Sequence, residues 1–442
     1  MLNNITFRRG TALLLTAAVL ISIFSLIVLT SYATEPLGVN LDGAQAMYVY
    51  NIENDKVLYA KNVDEKIQPV STVKIMAGLI ATEVLSDRLD EIVVVTESMI
   101  TGVIGQHYNI MSGHTLSIQD LLYLAFCGGC HKSINILSYI ISGNPDNFIA
   151  LMNTKAKELG MNDTFYSNAT GMHSQNMYTT VNDIAILCRA AAKNKLLLQI
   201  TTTDSYTTEQ LGDRNFTFEN RNYLVGTGYT PLYYNPLCHG LAAGSTPDSG
   251  YCVATIADNG DLSYICIVMG AGTENGKILS YEIANDLIDW AYSSWGYVEV
   301  ISEGVTICEI PVTMSMDIDS VIAVPSQSIS VYLPTSTSLG TDITYTHTLN
   351  SEKLQAPISE GALVGRITAY KDGEEIASVD LITKTSVAQS EVLYTLTKIK
   401  EISQSRVFIA SVIFAICFTM LYIFVKALIR GSASNKRYRY RK

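Results

Sequence analysis

The chain has 442 residues, 48% of them hydrophobic and 16% charged, enough apolar material for two or three packed domains and too much for a disordered polymer. Lys and Arg total 30 against 41 Asp and Glu. Two of the basic residues precede residue 34 and seven follow residue 425, so the stretch between holds 21 basic and 41 acidic residues, a net charge of −20. A body this acidic repels phosphate backbones, and nucleic acid is not an expected partner.

In chain order, Arg8 and Arg9 precede an apolar run over residues 11–29, and Ser31-Tyr32-Ala33 closes it with small residues at the outer and inner positions. That pattern predicts a secretory signal over residues 1–33 with cleavage after Ala33; an uncleaved anchor is the alternative. Residues 46–51 and 57–60 alternate around an Asn54-Asp55 turn and predict a hairpin. A helix opening at Ser71 follows, then a strand over residues 91–96, a helical stretch over 118–141 that breaks at Gly128-Gly129, and helices over 151–159 and 182–193. Strands over 250–257 and 262–270, joined by Asp258-Asn259-Gly260, and a last helix over 279–292 complete the mixture. It predicts an α/β (α+β) domain over residues 34–295, a mostly antiparallel sheet with helices on its faces.

Residues 296–390 are rich in Val, Ile, Thr and Ser in short alternating runs, which predicts a small all-β sandwich. Residues 391–406 predict a juxtamembrane helix. The nineteen residues 407–425 carry no charge and are long enough to cross a bilayer. Residues 426–442, with Lys426, Arg430, Lys436, Arg437, Arg439, Arg441 and Lys442, form a basic tail that the positive-inside rule places in the cytoplasm, leaving the body outside. Seven cysteines of that body meet an oxidising exterior, and an odd number cannot all pair within one molecule; Cys417 lies in the span.

The stretch Pro69-Val70-Ser71-Thr72-Val73-Lys74 carries the chemistry. It holds the chain's only Ser-x-x-Lys, and residues three apart share a helix face. A serine hydroxyl is a weak nucleophile until a base takes its proton, and a desolvated lysine can be that base. A nearby helix N-terminus favours the negative oxygen that an acyl transfer develops. The alternative is a helix-capping serine followed by a surface lysine.

The wider context resembles the serine-type D-alanyl-D-alanine carboxypeptidases, the low-molecular-mass penicillin-binding proteins. The resemblance runs from about residue 40 to about 390 and includes, besides the Ser71 stretch, Asp120-Leu121-Leu122-Tyr123, Glu158-Leu159-Gly160-Met161, Asn168-Ala169-Thr170-Gly171-Met172, Tyr178-Thr179-Thr180 with Asp183, and Ser249-Gly250-Tyr251-Cys252-Val253-Ala254. It implies a transpeptidase-like fold, Ser71 as the acylated nucleophile, Lys74 as its base, stem peptides of peptidoglycan and β-lactams as ligands, and no metal or organic cofactor. In such proteins two further motifs line the cleft, and both are altered here. Ser-x-Asn falls on Gly129-Cys130-His131, and Lys-Thr-Gly falls on Ala242-Ala243-Gly244. The literal Ser133-Ile134-Asn135 lies one helical turn too late and Gly226-Thr227-Gly228 too early, so neither is read as the motif. Loss of the second-motif hydroxyl breaks the usual proton route between Lys74 and the leaving amine. Loss of a charge-assisted bond at the third costs about 1.5–3 kcal/mol, roughly ten- to hundred-fold in binding or rate. His131 and Lys132 are the candidate substitutes in the relay. The expectation is a membrane-anchored carboxypeptidase of impaired activity, with a catalytically inactive pseudoenzyme that binds wall peptide or a partner as the alternative.

Cys127-Gly128-Gly129-Cys130-His131 also spells the haem c attachment pattern, against which a local disulfide or redox pair and ordinary thiols are the other readings. No second Cys/His pair with ligand spacing accompanies it, so zinc has little support.

Overall fold

The computed structural model describes residues 35–209 and 215–438, which fall into two compact units that meet at Trp295/Gly296. The signal expected over residues 1–33 lies outside the described residues. In the first unit the alternating segment Ala46–Asn51 (β1) turns at Asn54-Asp55 into Lys56–Lys61 (β2). Two short hairpins frame the helices, Ile92–Val94 (β3) with Thr115–Ser117 (β4), and Ser205–Thr207 (β5) with Thr217–Glu219 (β6). Cys238–Thr246 (β7), Gly250–Asp258 (β8) and Ser263–Ala271 (β9) then complete a five-stranded antiparallel sheet in the order β2-β1-β9-β8-β7. That order leaves β7 at an edge.

The helix Val73–Leu85 (α1) has ten of its thirteen residues buried, with Glu83 and Val84 exposed near its end. A helix apolar on nearly every side belongs in the core. It is enclosed by Ile118–Phe126 (α2), His131–Ser142 (α3), Pro145–Leu159 (α4), Val181–Ala191 (α5) and Lys195–Thr202 (α6). Gly78 sits in its interior at a propensity cost of about 1 kcal/mol relative to alanine. The reason is close approach, since a Cβ there would lie 2.7 Å from Leu197 Cδ1 on α6. Caps fix the neighbouring helices: Ser117 Oγ accepts from Asp120 N at 3.0 Å, and Asn144 Oδ1 accepts from Asn147 N at 2.8 Å. Asn144-Pro145 is an N-cap followed by proline at the first helical position, which starts α4 six residues before the periodicity over 151–159 suggests. A two-residue hairpin, Thr273–Glu274 (β10) with Lys277–Ile278 (β11), leads into Leu279–Ser294 (α7), which packs on β8 and β9.

The second unit is β-rich. Trp295–Ile301 (β12), Cys308–Thr313 (β13), Ser320–Pro325 (β14), Ile329–Pro334 (β15), Ile343–Leu349 (β16), Leu354–Gln355 (β17), Leu363–Lys371 (β18) and Glu374–Thr383 (β19) form a six-stranded sheet, β16-β18-β19-β14-β13-β17, and a pair, β12-β15. Val300, Ile301 and Leu333 of the pair share one apolar core with Val321, Ala323, Ile367 and Leu381 of the larger sheet. Glu391–Gln404 (α8) follows, then Arg406–Tyr438 (α9), whose segment Arg406–Ile429 is long and apolar enough to cross a membrane and is wholly exposed. One C-terminal apolar helix fits a single membrane anchor.

Candidate active site

Ser71 does not lie in an α-helix, as its spacing suggests, but in the single 3-10 turn Val70–Thr72 ahead of α1. Thr72 closes this turn twice onto the Pro69 carbonyl, through its amide at 3.0 Å and its hydroxyl at 2.6 Å. Val70 takes φ +49°, and Gly171 packs so tightly on it that a Cβ would meet the Val70 carbonyl carbon at 2.8 Å. With three residues per turn, side chains three apart eclipse, so Lys74 in the first turn of α1 still stands over Ser71.

Both side chains open into a cavity of about 420 Å³ bounded by Phe126-Cys127-Gly128-Gly129 and His131, by Asn220-Arg221-Asn222-Tyr223, by residues 241–245 of β7 and by Tyr251, Ile278 and Tyr281. Lys74 is partly buried and lines the cavity, and burial lowers its pKa to about 8. The Arg221 charge acts in the same direction, and the Cys252 and Cys130 thiols act against it. An amine in this range is a usable general base near neutral pH.

On β7, Ala242, Ala243 and Gly244 pair with Ala254, Val253 and Cys252 of β8 and line the cavity. A Cβ at Gly244 would fall on Ser71 Oγ and lie 3.0 Å from Ser71 Cβ, so the strand reaches the nucleophile because this residue is glycine. Across the cavity Gly129 has φ +70° and also lines the wall. A Cβ there would lie 3.5 Å from Arg221 Cγ and 3.6 Å from Lys74 Nζ, ordinary contact distances. A Cβ therefore fits here between the Lys74 amine and the aliphatic stem of Arg221.

The other second-motif positions differ in kind. Cys130 is wholly buried and faces Ser133, while His131 lines the cavity. His131 Nδ1 donates to the Ile104 carbonyl at 2.8 Å, since a carbonyl only accepts, and this tautomer leaves Nε2 as an acceptor. Burial first, then the Lys74 charge, pushes the imidazole down to about 4, so it is neutral at physiological pH. Lys132 is directed elsewhere, donating to the Ile110 carbonyl at 2.6 Å. Ser133 is buried on α3, and Asn135 Nδ2 donates to Met99 O at 2.8 Å. Thr227 of the early look-alike is tied to Asp204 by its amide at 2.7 Å and its hydroxyl at 3.0 Å. All eight cysteines are free; Cys127 donates to the Thr203 carbonyl at 3.3 Å, and neither it nor Cys130 presents its sulfur to solvent.

Sequence reasoning missed Arg221. Its amide donates to the Cys127 carbonyl at 3.1 Å, its guanidinium lies 4.6 Å over the Tyr229 ring, and, against the effect of burial, the Tyr108 phenol is near enough to raise its pKa. Among the described residues no carboxylate pairs with it. Asn220 and Asn222 pin the turn from both sides, through bonds to the Thr201 and Thr203 carbonyls and to the Gly240 carbonyl at 2.7 Å. An arginine between two turn-forming asparagines in an acidic body is the signal that was available. The cavity thus combines a hydroxyl, an amine of lowered basicity and a guanidinium that no carboxylate among the described residues pairs, the components of acyl transfer on a ligand that carries a carboxylate.

A family model described as D-alanyl-D-alanine carboxypeptidase matches residues 33–273, and one described as the C-terminal domain of penicillin-binding protein 5 matches residues 295–389. D-alanyl-D-alanine carboxypeptidase DacF of Bacillus subtilis is 26% identical over 351 residues, 77% of this chain and 85% of its own length. DacC of Escherichia coli is 25% identical over 359 residues, 78% and 84%. Among solved structures, DacD of Francisella tularensis superposes with TM-score 0.57 at 22% identity, covering 82% of this chain and 97% of its own, and penicillin-binding protein 6B of Escherichia coli with 0.57 at 20%, covering 80% and 98%.

Proposed function

The chain belongs to the D-alanyl-D-alanine carboxypeptidase family, and from that membership and the cavity together we propose that it is a membrane-anchored, extracytoplasmic serine peptidase that removes the terminal residue of peptidoglycan stem peptides. The observation that carries this reading is the pairing of Ser71 with an amine held near pKa 8 in one cavity. Neutral Lys74 takes the Ser71 proton as Oγ attacks the penultimate carbonyl carbon. The C–N bond breaks, the terminal residue leaves as an amine that gains a proton, and water later hydrolyses the ester. β-lactams acylate the same oxygen. The reaction as derived calls on no metal or organic cofactor. Residues 1–33 act as the export signal, residues 407–425 as the span and residues 426–442 as the cytoplasmic tail.

Arg221 takes over the carboxylate-binding charge that Ala242 and Ala243 lack. Arg221→Ala should raise KM by roughly ten- to hundred-fold, the worth of a charge-assisted hydrogen bond, with a smaller change in kcat, and Arg221→Lys should recover part of it. Steady-state kinetics checks this. The absent Gly129 side chain slows protonation of the leaving amine and makes turnover slow. That absence, with Ala242 and Ala243, is also what favours the second reading, a pseudoenzyme that holds wall peptide or a partner without cleaving it. Release of the terminal amino acid from a pentapeptide stem, compared with Ser71→Ala, separates the two: Ser71-dependent release supports the peptidase, and retention of an intact bound peptide supports the pseudoenzyme.

A further inference from the structure

Gly129 leaves room for at least a Cβ in the cavity wall, and its borders define what fills it. Apart from its chain neighbours, the atoms nearest the missing Cβ are Arg221 Cγ at 3.5 Å, Lys74 Nζ at 3.6 Å and Arg221 Cβ at 4.0 Å. No protein hydroxyl comes closer. Tyr108, the phenol beside Arg221, already donates to the Gly128 carbonyl at 2.8 Å. Lys74 and Arg221 offer only donors once charged, and His131, whose Nε2 accepts, is not among the atoms nearest the missing Cβ, so the vacancy calls for a group that can accept and pass on a proton.

The ligand itself passes this point. If its attacked carbonyl lies at Ser71 and its terminal carboxylate at Arg221, the residue between them crosses the Gly129 position. We infer that the preferred substrate ends in a residue with a side-chain hydroxyl, D-serine rather than D-alanine, and that this hydroxyl occupies the space left by Gly129 and completes the proton route. This inference rests on the carboxypeptidase reading above.

The step balances without another reactant. Ser71 Oγ bonds to the penultimate carbonyl carbon and its proton passes to Lys74 Nζ. As the C–N bond breaks, the substrate hydroxyl gives its proton to the leaving nitrogen and takes one from the Lys74 ammonium. The hydroxyl oxygen and the leaving nitrogen of a serine are on adjacent carbons, within hydrogen-bonding reach of each other. A D-alanine methyl fills the space and relays nothing.

The test compares Nα,Nε-diacetyl-L-lysyl-D-alanyl-D-alanine with the analogues ending in D-serine and O-methyl-D-serine, using the purified full-length protein in detergent. The expected result is a kcat/KM for the D-serine ligand about tenfold or more above the D-alanine ligand, expressed in kcat, with O-methyl-D-serine at or below the D-alanine level. Gly129→Ser should raise hydrolysis of the D-alanine ligand and bring the ratio toward one. Gly129→Ala, with the same backbone strain and no hydroxyl, should lose the D-serine advantage and gain nothing. Equal rates for D-alanine and D-serine, or O-methyl-D-serine as fast as D-serine, overturn the inference and leave the carboxypeptidase reading standing. Hydrolysis of none of the three by a protein that penicillin still acylates overturns that reading, and this inference with it.

Discussion

Lys74→Met should lower the rate of Ser71 acylation by on the order of 10²- to 10⁴-fold and at the same time make the protein more stable at pH 7. The two effects share a cause. Burial lowers the Lys74 pKa from 10.5 to about 8, so the folded state disfavours the charged form that the unfolded chain holds freely. Between pH about 8 and 10.5 the unfolded state binds the proton that the folded state has released, and stability therefore rises with pH across that window. Below about 8 the folded protein bears the whole penalty, up to about 3 kcal/mol from the pKa difference. Methionine removes the penalty while filling similar volume. Thermal melts should show Lys74→Met above wild type at pH 7, with the gap closing by pH 10.5. Acylation of the unmodified protein should rise with pH and level off above about 8, as the neutral amine becomes the main form.

Gly244→Ala should reduce acylation by about 10²-fold or more without unfolding the protein, because the added methyl falls on Ser71 Oγ. Real Cβ atoms do not approach side chains this closely. Either the end of β7 withdraws or Ser71 rotates off its position, and an ångström of misplacement is enough to give that loss. Stopped-flow labelling with a fluorescent penicillin measures the rate, and a circular-dichroism melt within a few degrees of wild type shows that the fold is intact. An unchanged labelling rate would mean that β7 does not press on the nucleophile.

Much of the scaffold was legible because its signals are local. The hairpin around Asn54-Asp55 and the pair of strands around Asp258-Asn259-Gly260 announce themselves by alternation and turn residues. The turn at Ser71 was less so: Ser-x-x-Lys reads the same on a 3-10 turn as on an α-helix, and Val70 at φ +49° depends on Gly171, a hundred residues away. The helix Lys195–Thr202 escaped because it spans only two turns and runs into Thr201-Thr202-Thr203, whose β-branched side chains argue against a helix. Arg221 escaped for a different reason. Its role arises from convergence of the 220–223 turn with Gly129 and Lys74, and no spacing along the chain encodes that meeting. Ala242, Ala243 and Gly244 could be located only by counting from their flanks, and in the structure they line the cavity.

The most direct measurement is intact mass spectrometry of the purified protein after incubation with benzylpenicillin, beside Ser71→Ala. A single adduct of the drug's mass on the unmodified protein, absent from Ser71→Ala and mapped by peptide digestion to Ser71, is the predicted result. No adduct at high drug concentration, on protein shown by its melt to be folded, would contradict an activated nucleophile and leave the cavity as a binding site alone.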